Sequence, residues 1–207
     1  MVKQMFRLLG KIPKEFYIAV SGGIDSMVLL DFLLNANHRP KAVLYFNHGT
    51  EYGKMCSSFL KERCEQLNLK LIEGMITTSK SKYDSQEEYW RNERYAFFKN
   101  YECVMTAHHI DDVLEWWIFS SLHGQSKLIS YKRDNIIRPF LMVTKRKIKQ
   151  WAEKHNVIFI DDPSNKDTKY MRNHIRSNMV DNALIVNPGL RKVLTRKIKE
   201  DYINNHK

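Results

Sequence analysis

Short apolar runs alternate with longer segments in which apolar residues recur every three or four positions. Runs of this length are typical of buried strands, and the longer periodic segments are typical of amphipathic helices. The predicted strands are Phe16–Val20, Ala42–Asn47, Lys70–Glu73 and Cys103–Ala107. The predicted helices are Ser26–Ala36, Lys54–Leu67, Ser85–Asn100 and Ile110–Leu122. Strands that alternate with helices pair in parallel through right-handed crossovers, so the pattern predicts an α/β fold with a doubly wound, mostly parallel sheet.

The pattern is less regular in the rest of the chain. The segment 125–135 is polar and basic and is predicted to be an exposed loop. Thr144 is a good N-cap for a basic amphipathic helix. The other elements expected here are strands at Ile136–Arg138 and Val157–Ile160, a helix end near His155, and two helices within Arg172–Tyr202 that are broken at Asn187–Gly189.

The composition is that of a folded globular chain. Its 207 residues are 43% hydrophobic and 12% aromatic, which is enough apolar material for a packed core and argues against intrinsic disorder. The longest apolar runs are far shorter than the roughly 20 residues of a membrane span, and no signal pattern precedes them, so a soluble, cytoplasmic protein is expected. Three cysteines without a C-x-x-C pair disfavour a disulfide scaffold, a zinc knuckle and a cysteine-held iron–sulfur cluster.

The charge is strongly positive. Lys and Arg number 34 against 23 Asp and Glu, so the formal net charge is +11. Two interpretations remain open at this point: a polyanionic partner, or a surface charge that only keeps the protein soluble.

Ligands of an open parallel sheet bind beyond the carboxyl ends of its strands, and the segment after the first predicted strand is a candidate site. It has the sequence Ser21-Gly22-Gly23-Ile24-Asp25-Ser26. The two glycines let the backbone approach an anion closely, and the N–H groups of the following helix face the same point. The serine hydroxyls add donors, and Asp25 offers an oxygen ligand for magnesium. The alternative is an ordinary glycine turn between a strand and a helix.

A second candidate site follows the strand Cys103–Ala107. His108 and His109 end the strand, and Asp111, Asp112 and Glu115 begin the next helix. Such a cluster can coordinate a metal, accept the hydrogen bonds of an amine, or act as acid and base. The alternative is helix N-terminal charge that complements the helix dipole.

The third polar segment is Asp161-Asp162-Pro163-Ser164-Asn165-Lys166-Asp167, and it is followed by Arg172, Asn173 and Arg176. Taken alone, it predicts a turn with a helix after it.

The S-G-G-x-D-S segment resembles the signature of the PP-loop ATP pyrophosphatase superfamily, whose members cleave ATP between the α and β phosphates. It is not a Walker A loop, because G-x-x-x-x-G-K-[ST] is absent. The order of all the motifs resembles the tRNA(Ile)-lysidine synthetase family within that superfamily, over about residues 15–180. Further segments that carry this resemblance are Asn47-His48-Gly49, Arg91-Asn92-Glu93-Arg94-Tyr95 and Arg138-Pro139.

The resemblance implies that the chain joins the ε-amine of free L-lysine to C2 of the wobble cytidine in an isoleucine tRNA with a CAU anticodon. ATP would first adenylate the cytidine, with Asp25 binding Mg²⁺ on the phosphates and residues 21–26 holding the pyrophosphate portion. Arg94, or Arg91, would stabilise phosphate charge or hold the RNA backbone. His108, Asp112 and Glu115 would position the lysine ammonium and remove its proton. The residues that the resemblance assigns to substrate binding are Asn47, His48, Arg91, Asp111, Asp162, Ser164, Asn165, Arg172, Asn173 and Arg176.

The chain departs from the family pattern in three respects. Thr50-Glu51 follows Gly49 where an apolar residue and an arginine are usual, and Trp116 follows the glutamate where threonine is common. Family members also continue into further helical domains that grip the tRNA. The expected organisation is therefore a catalytic domain over 1–180 and a basic helical extension over 181–207, which together with Lys145–Lys149 is expected to contact tRNA through phosphates.

Two alternatives to lysine ligation are retained. A PP-loop tRNA thiolase would adenylate the same kind of base and deliver sulfur, and would need positioned cysteines. Cys56 and Cys64 lie on a predicted helix and Cys103 in a predicted strand, where core roles are expected. The other alternative is a nucleotide- or RNA-binding module without catalysis, which the intact Asp25, Asp112 and Glu115 argue against.

Overall fold

The structure is a computed structural model that describes residues 6–80, 85–161 and 171–205. Its strands are β1 (Tyr17–Ala19), β2 (Val43–Asn47), β3 (Leu71–Met75), β4 (Val104–Met105), β5 (Lys132–Arg133) and β6 (Ile136–Ile137). Its helices are α1 (Ile24–Asn35), α2 (Glu51–Gln66), α3 (Gln86–Phe98), α4 (Ile110–Leu122), α5 (Lys145–His155), α6 (Met171–Asn178), α7 (Val180–Val186) and α8 (Leu190–Asn205).

The strands form one sheet in the order β3-β2-β1-β4-β6-β5. The pairs from β3 to β6 are parallel, and β5 pairs antiparallel with β6 at the edge. Ile18 of β1 lies between Val43 of β2 and Met105 of β4, so β1 is central. The predicted doubly wound, mostly parallel α/β sheet is confirmed.

Side chains of the sheet alternate between two apolar cores, as a strand period of two requires. Ile18 joins a large cluster on one face, in which Leu29 of α1 and Leu114 of α4 are fully buried. Its neighbours Tyr17 and Ala19 pack against a smaller cluster on the other face, which α3 covers. Burial on both faces explains why the parallel strands have apolar runs without a polar alternation.

The order of the strands reverses between β1 and β4. The chain moves from β1 outward to β2 and β3, and then returns to β4 on the other side of β1. At such a reversal the loops that follow the two strands separate and leave a crevice at the carboxyl edge of the sheet. The Ser21–Ser26 segment and the His108-His109 pair therefore meet at this crevice.

Three helix starts have side-chain caps, and the N-cap predicted at Thr144 is confirmed. The hydroxyl of Ser85 accepts a hydrogen bond from the backbone N–H of Glu88, and the hydroxyl of Thr144 accepts one from that of Lys147. The helix predicted from Lys54 starts earlier, at Glu51, because Thr50 caps it by accepting from Gly53. In each case the side-chain oxygen satisfies an N–H that has no partner within the helix.

Three local predictions are wrong. The segment 125–135 is not wholly an exposed loop, because it contains β5 and because Tyr131 is buried against Tyr202 of α8. The segment Val157–Ile160 is not a strand; the N–H of Ile160 donates to the carbonyl of Gly22 instead of to a neighbouring strand.

The described part of Arg172–Tyr202 contains three helices and not two, because α6 and α7 are separate helices that meet at Met179. The last helix, α8, belongs to the same core as the sheet. Leu194 and Ile198 of α8 are 0% and 1% exposed within the large cluster. No helix within the described ranges is long and apolar enough to span a bilayer.

Candidate active site

The loop after β1 forms a small cradle at the start of α1. The hydroxyl of Ser26 accepts a hydrogen bond from the N–H of Ser21 at 3.1 Å and donates to the carbonyl of Gly23 at 3.0 Å. Gly22 has φ +84°, a conformation that side chains with a Cβ rarely adopt. Gly23 is the N-cap of α1 and provides no side-chain cap, so the first amides of α1 are open to an anion.

Asp25 lies in the first turn of α1 and forms an ion pair with the start of α5, the helix that packs against α1. The ammonium of Lys145 at the start of α5 is 2.6 Å from Oδ1 and 2.7 Å from Oδ2 of Asp25. Burial raises the pKa of the Asp25 carboxyl. The hydrogen bond and charge of His109, together with the charge of Lys145, outweigh that effect and lower the pKa to about 2. Asp25 is therefore a carboxylate at neutral pH.

His109 is buried between two carboxylates at the start of α4. Its Nε2 lies 3.4 Å from Oδ1 of Asp25. On the other side, Asp112 Oδ2 accepts from the His109 backbone N–H at 2.8 Å, and the N–H of Asp112 lies 3.3 Å from Nδ1 of His109. Burial lowers the pKa of His109, but the charge of Asp112 and the contact with Asp25 outweigh it and raise the pKa to about 9. The protonated ring directs Nε2–H toward Oδ1 of Asp25 and Nδ1–H toward Oδ2 of Asp112, at 3.4 Å each, whereas the neutral ring accepts the N–H of Asp112 at Nδ1.

Asp112 is correspondingly held in its charged form. Burial raises the pKa of its carboxyl, and the charges of His109 and His108 outweigh burial and lower it below the usual range. His108 lies beside it, with Nδ1 2.9 Å from the hydroxyl of Thr106.

Asp111 connects α4 to two other helices. Its Oδ2 accepts from the backbone N–H of Lys145 at 2.8 Å, and its Oδ1 accepts from Nε of Arg191 at 2.7 Å. Arg191 lies in the first turn of α8, so one carboxylate holds the starts of α5 and α8 against α4.

Glu115 is buried and pairs with α6. Its two carboxylate oxygens accept from Nε and Nη2 of Arg176 at 2.6 and 3.0 Å, a bidentate arrangement with the strength of a charge-assisted pair. The hydrogen bonds to Glu115 raise the pKa of Arg176, and the charges of Glu115, Asp112 and Asp25 act in the same direction. Arg176 therefore lies within electrostatic reach of Asp25.

These contacts balance the charge of the crevice. Its four carboxylates pair with four cations: Asp25 with Lys145, Asp111 with Arg191, Asp112 with His109, and Glu115 with Arg176. A polyphosphate that enters this crevice adds uncompensated negative charge, which makes an accompanying cation favourable.

A second group of predicted residues lies at the ends of β2 and α3. Asn47 stabilises the turn there, accepting from the N–H of Gly49 at 2.9 Å and donating to Glu73 at 3.1 Å. The ring of His48 lies 5.1 Å from that of Trp90. Burial, with a smaller effect of the Arg94 charge, lowers the pKa of His48 to about 4, so this ring is neutral.

Arg91 and Tyr95 of α3 link this group to neighbouring elements. The Arg91 guanidinium lies 5.6 Å from the ring centroid of Tyr95 and 6.0 Å from that of Trp116 on α4. The hydroxyl of Tyr95 accepts from Nη2 of the buried Arg138 at 3.3 Å, so two of the sequence motifs meet here.

The structure thus brings Asp25, His109, Asp112 and Lys145 together and joins Glu115 to Arg176. Asn47, His48 and Arg94 form a second group at the end of β2 and on α3. Asn173 lies on α6, three residues before Arg176. The predicted residues Asp162, Ser164 and Asn165, and the side chain of Arg172, lie outside the described residues.

Sequence reasoning missed Lys145 and Arg191 as parts of this site. The sequence pattern places Lys145 only in the basic run Lys145–Lys149, which is expected to contact tRNA. One local signal was available: Lys145 is the first residue of α5, whose first turn contains no acidic residue. A cation there opposes the helix dipole, so it indicates a specific anionic partner.

The donor atoms of Asp25 fit a magnesium ion that arrives with phosphates. Magnesium in proteins is commonly held by one or two carboxylates together with substrate phosphates and water. Asp25 has two oxygens and a side chain that is 34% exposed, and both oxygens contact the Lys145 ammonium, which a metal would have to displace. Within the described residues no group of three His, Cys, Asp or Glu is arranged to hold a metal alone, so phosphate oxygens would complete the coordination.

Fold and site together define an α/β protein with a glycine- and serine-containing loop and uncapped helix amides at the reversal of its strand order. A family described as a PP-loop domain matches residues 2–183. The chain belongs to this PP-loop family, whose domain binds ATP.

Curated relatives extend the comparison. A protein of Staphylococcus aureus named tRNA(Ile)-lysidine synthase is 34% identical over 189 residues, which cover 82% of this chain and 44% of the relative. A protein of the same name from Mesoplasma florum is 30% identical over 213 residues, which cover 93% of this chain and 54% of the relative. The chain therefore spans about half the length of the curated relatives it matches.

Solved structures agree on the fold. The U34-tRNA thiolase NcsA of Methanococcus maripaludis superposes with a TM-score of 0.71 over 95% of this chain and 74% of its own, at 15% identity. The NH3-dependent NAD synthetase of Campylobacter jejuni superposes with a TM-score of 0.50 over 94% of this chain and 87% of its own, also at 15% identity.

Proposed function

We propose that this chain joins free lysine to the wobble cytidine of an isoleucine tRNA with a CAU anticodon, using ATP and releasing pyrophosphate and AMP. The observation that carries the proposal is the Ser21–Ser26 loop, whose uncapped helix amides open beside Asp25. The names of the bacterial relatives, which are similar over most of this chain, support the choice of substrate. We expect the reaction to take place in the cytoplasm, where tRNA is found.

ATP would bind with its phosphates against the first turn of α1. The amides there and the hydroxyls of Ser21 and Ser26 are donors for phosphate oxygens, and the positive end of the helix dipole favours their charge. Asp25 would hold Mg²⁺, which when bound neutralises charge on the departing pyrophosphate. Lys145 is also a cation and lies at the same carboxylate, so it is available to contact a phosphate once Asp25 holds the metal.

The first chemical step would activate the cytidine. Its O2 attacks the α phosphorus of ATP, a bond forms between O2 and that phosphorus, and the bond to the bridging oxygen of pyrophosphate breaks. Arg94, or Arg91, would stabilise the negative charge that grows on phosphate oxygens or hold the RNA backbone. The result is a cytidine whose O2 can leave as part of AMP.

The second step would transfer lysine. Its ε-nitrogen attacks C2 of the cytidine, the C2–N bond forms, and the C2–O2 bond breaks as AMP leaves. Only a neutral amine is nucleophilic, so the ammonium must first lose a proton. Asp112 and Glu115 would attract and position the ammonium. Because these carboxylates are paired with His109 and Arg176, we assign the proton to His108.

The remaining substrate assignments belong to the same proposal. Catalysis is assigned to residues 1–180, and tRNA contact to the basic extension 181–207. The residues that we include as substrate-binding are Asn47, His48, Arg91, Asp111, Asp162, Ser164, Asn165, Arg172, Asn173 and Arg176.

Sulfur transfer is the nearest alternative, and the cysteines argue against it. Cys56 and Cys64 lie on the buried side of α2, and each is 2% exposed. Burial raises the pKa of Cys64 to about 11, and it also raises the pKa of Cys103. A thiol in this state is a poor nucleophile and a poor metal ligand, because both roles need the thiolate. The resemblance to a thiolase structure concerns the fold alone.

The deciding experiment incubates the purified chain with ATP, magnesium, radiolabelled lysine and an unmodified transcript of isoleucine tRNA with a CAU anticodon. We expect label to enter the tRNA only when ATP is present, with one pyrophosphate released per lysine. A transcript in which the wobble cytidine is replaced by uridine is the matched control and should remain unlabelled.

Tight binding of ATP and tRNA without release of pyrophosphate would support the non-catalytic binding module instead. Release of pyrophosphate that does not depend on lysine, with sulfur incorporated from a persulfide donor, would support a thiolase.

A further inference from the structure

A basic cleft of about 410 Å³ lies beside the candidate active site. One wall comes from the starts of α4 and α5, where Ile110 and Thr144 line it. The opposite wall is α8. Its lining side chains there are Arg191, Lys192, Thr195, Arg196 and Lys199.

The cations of this cleft differ in how far they are neutralised. Arg191 is fully paired, with Nη2 2.6 Å from Asp111. Arg196 reaches only Glu200, at 3.9 Å and in an exposed position. Within the described part of the chain, Lys192 and Lys199 have no ion-pair partner. The cleft therefore contains two ammonium groups, and a third, weakly paired cation, that an anionic ligand can neutralise.

Helical spacing places these groups on one side of α8. Lys192, Arg196 and Lys199 follow one another at intervals of four and three residues, so they share a face. Like charges at this spacing destabilise a helix slightly when nothing compensates them. Solvated basic faces are common on convex surfaces, whereas this face lines a cleft with the apolar Ile110 in its wall.

The cleft and the candidate active site are both built on the starts of α4, α5 and α8. Ile110 follows His109 directly, and Thr144 precedes Lys145, whose ammonium contacts Asp25. Arg191 connects the two through Asp111, which also accepts from the N–H of Lys145. The cleft and Asp25 are therefore linked through two ion pairs, Arg191 with Asp111 and Lys145 with Asp25.

From these contacts we infer that the cleft binds the phosphodiester backbone of the RNA next to the nucleotide that reacts. The inference rests on the proposed function, because RNA is the polyanion that this function brings to the crevice. Phosphate contacts from Lys and Arg position an RNA without reading its sequence. The pyrophosphate product is another phosphate of similar charge, but the open amides of α1 already offer it a site.

The test measures RNA affinity as a function of salt. The probe is a fluorescein-labelled, unmodified transcript of isoleucine tRNA with a CAU anticodon, titrated between about 50 and 200 mM KCl. The pocket variant is Lys192→Gln with Lys199→Gln, which removes two charges from side chains that are not part of the core. The matched control is Lys70→Gln with Lys99→Gln, two exposed lysines that lie before β3 and after α3, at the opposite edge of the sheet.

We expect the pocket variant to bind the transcript at least tenfold more weakly. Its slope of log affinity against log salt should fall by about 1 to 2, as expected when one or two phosphate contacts are lost. ATP affinity and the circular dichroism spectrum should stay as in the wild type, and the control variant should bind RNA normally.

Equal losses in the pocket and control variants would overturn the inference, because the effect would then be one of diffuse surface charge. Unchanged RNA affinity with weaker inhibition by pyrophosphate would also overturn it and would assign the cleft to the product. Lysine incorporation separates this inference from the proposed function. A wild-type chain that binds RNA through the cleft but incorporates no lysine supports the cleft and contradicts the function.

Discussion

The ammonium of Lys145 bridges both carboxylate oxygens of Asp25, at 2.6 and 2.7 Å. The two residues are 120 positions apart in the chain and belong to α1 and α5, two helices that pack against each other. Lys145 is held by Asp25 where an incoming phosphate and its metal would arrive. The pair therefore leads to a prediction about catalysis.

Replacement of Lys145 by Met should slow pyrophosphate release by roughly 100-fold, the size of effect seen when one group that stabilises transition-state charge is removed. Lys145→Arg should retain more activity, because it keeps the charge but changes its geometry. The measurement is release of pyrophosphate at saturating ATP and tRNA. Lys154→Met, at an exposed position in the last turn of the same helix, is the control and should leave the rate unchanged. Wild-type turnover in Lys145→Met would contradict the prediction.

Asp25→Asn should abolish measurable pyrophosphate release, because an amide has no charge to hold magnesium or Lys145. The isosteric change also removes the negative partner of His109, so the pKa of that imidazole should fall, which NMR titration of the ring can detect. Chelation of magnesium from the wild type should produce the same loss of turnover. If Asn at this position supports normal magnesium-dependent turnover, Asp25 does not hold the metal.

Stability should fall between about pH 6.5 and 9 through His109. The pKa of His109 is raised to about 9 in the folded protein, against 6.5 when unperturbed. Its contribution is therefore fully present below pH 6.5 and lost as the pH rises through 9. At about 1.4 kcal/mol per pKa unit, the loss is roughly 2–4 kcal/mol in the free energy of unfolding.

Urea unfolding at a series of pH values, in buffer with EDTA, measures this dependence. His109→Asn keeps a good N-cap for α4 but has no titrating ring, so its stability should be flat over the same range. A wild-type protein that is equally stable at pH 6.5 and 9 would show that the ring is not charged in the folded state.

Arg176→Met should destabilise the fold by about 3 kcal/mol, because it leaves the buried Glu115 carboxylate without its guanidinium. The double variant Glu115→Gln with Arg176→Met should recover part of that loss, since the buried charge is removed as well. Urea unfolding of the single and double variants gives the coupling energy. Arg146→Met, at an exposed position, should change stability by less than about 0.5 kcal/mol. Additive effects of the two changes would refute a direct coupling.

Gly22→Ala should weaken ATP binding as well as the fold. Gly22 has φ +84°, and a Cβ there would lie 3.1 Å from Cγ1 of Ile160, so the Ile160 side chain would have to shift by a few tenths of an ångström. The backbone strain alone costs about 1–2 kcal/mol. Gly124→Ala is a matched control, because Gly124 has φ +77° but no atom within 4 Å of the added Cβ.

Thermal unfolding and a fluorescent ATP analogue measure the two effects. Both variants should lose stability, and only Gly22→Ala should lose ATP affinity. Normal ATP affinity in Gly22→Ala would mean that the loop conformation is not needed for the nucleotide.

Much of the architecture follows from local features of the chain. The apolar runs and the helical periodicity are sufficient to predict that β1 to β4 pair in parallel. The caps at Ser85 and Thr144 follow from single hydroxyl residues. The Ser21–Ser26 segment carries its own conformation, because glycines and serines define such a loop without distant help. These are short-range effects, and the sequence determines them by itself.

Strand predictions that depend on a distant neighbour are wrong at two places. Val157–Ile160 has the composition of a strand, yet the N–H of Ile160 bonds to the loop at Gly22. The segment with β5 is polar, yet it pairs with β6 and buries Tyr131. Strand formation depends on an available neighbour, which composition does not specify.

The ion pairs of the site also depend on partners that are distant in the chain. Asp25 meets Lys145 over 120 positions, Asp111 meets Arg191 over 80, and Glu115 meets Arg176 over 61. The sequence by itself determined that carboxylates and a phosphate-type loop gather at one sheet edge. Only the tertiary structure decided which cation neutralises each carboxylate, because that depends on how α5, α6 and α8 pack against α4 and α1.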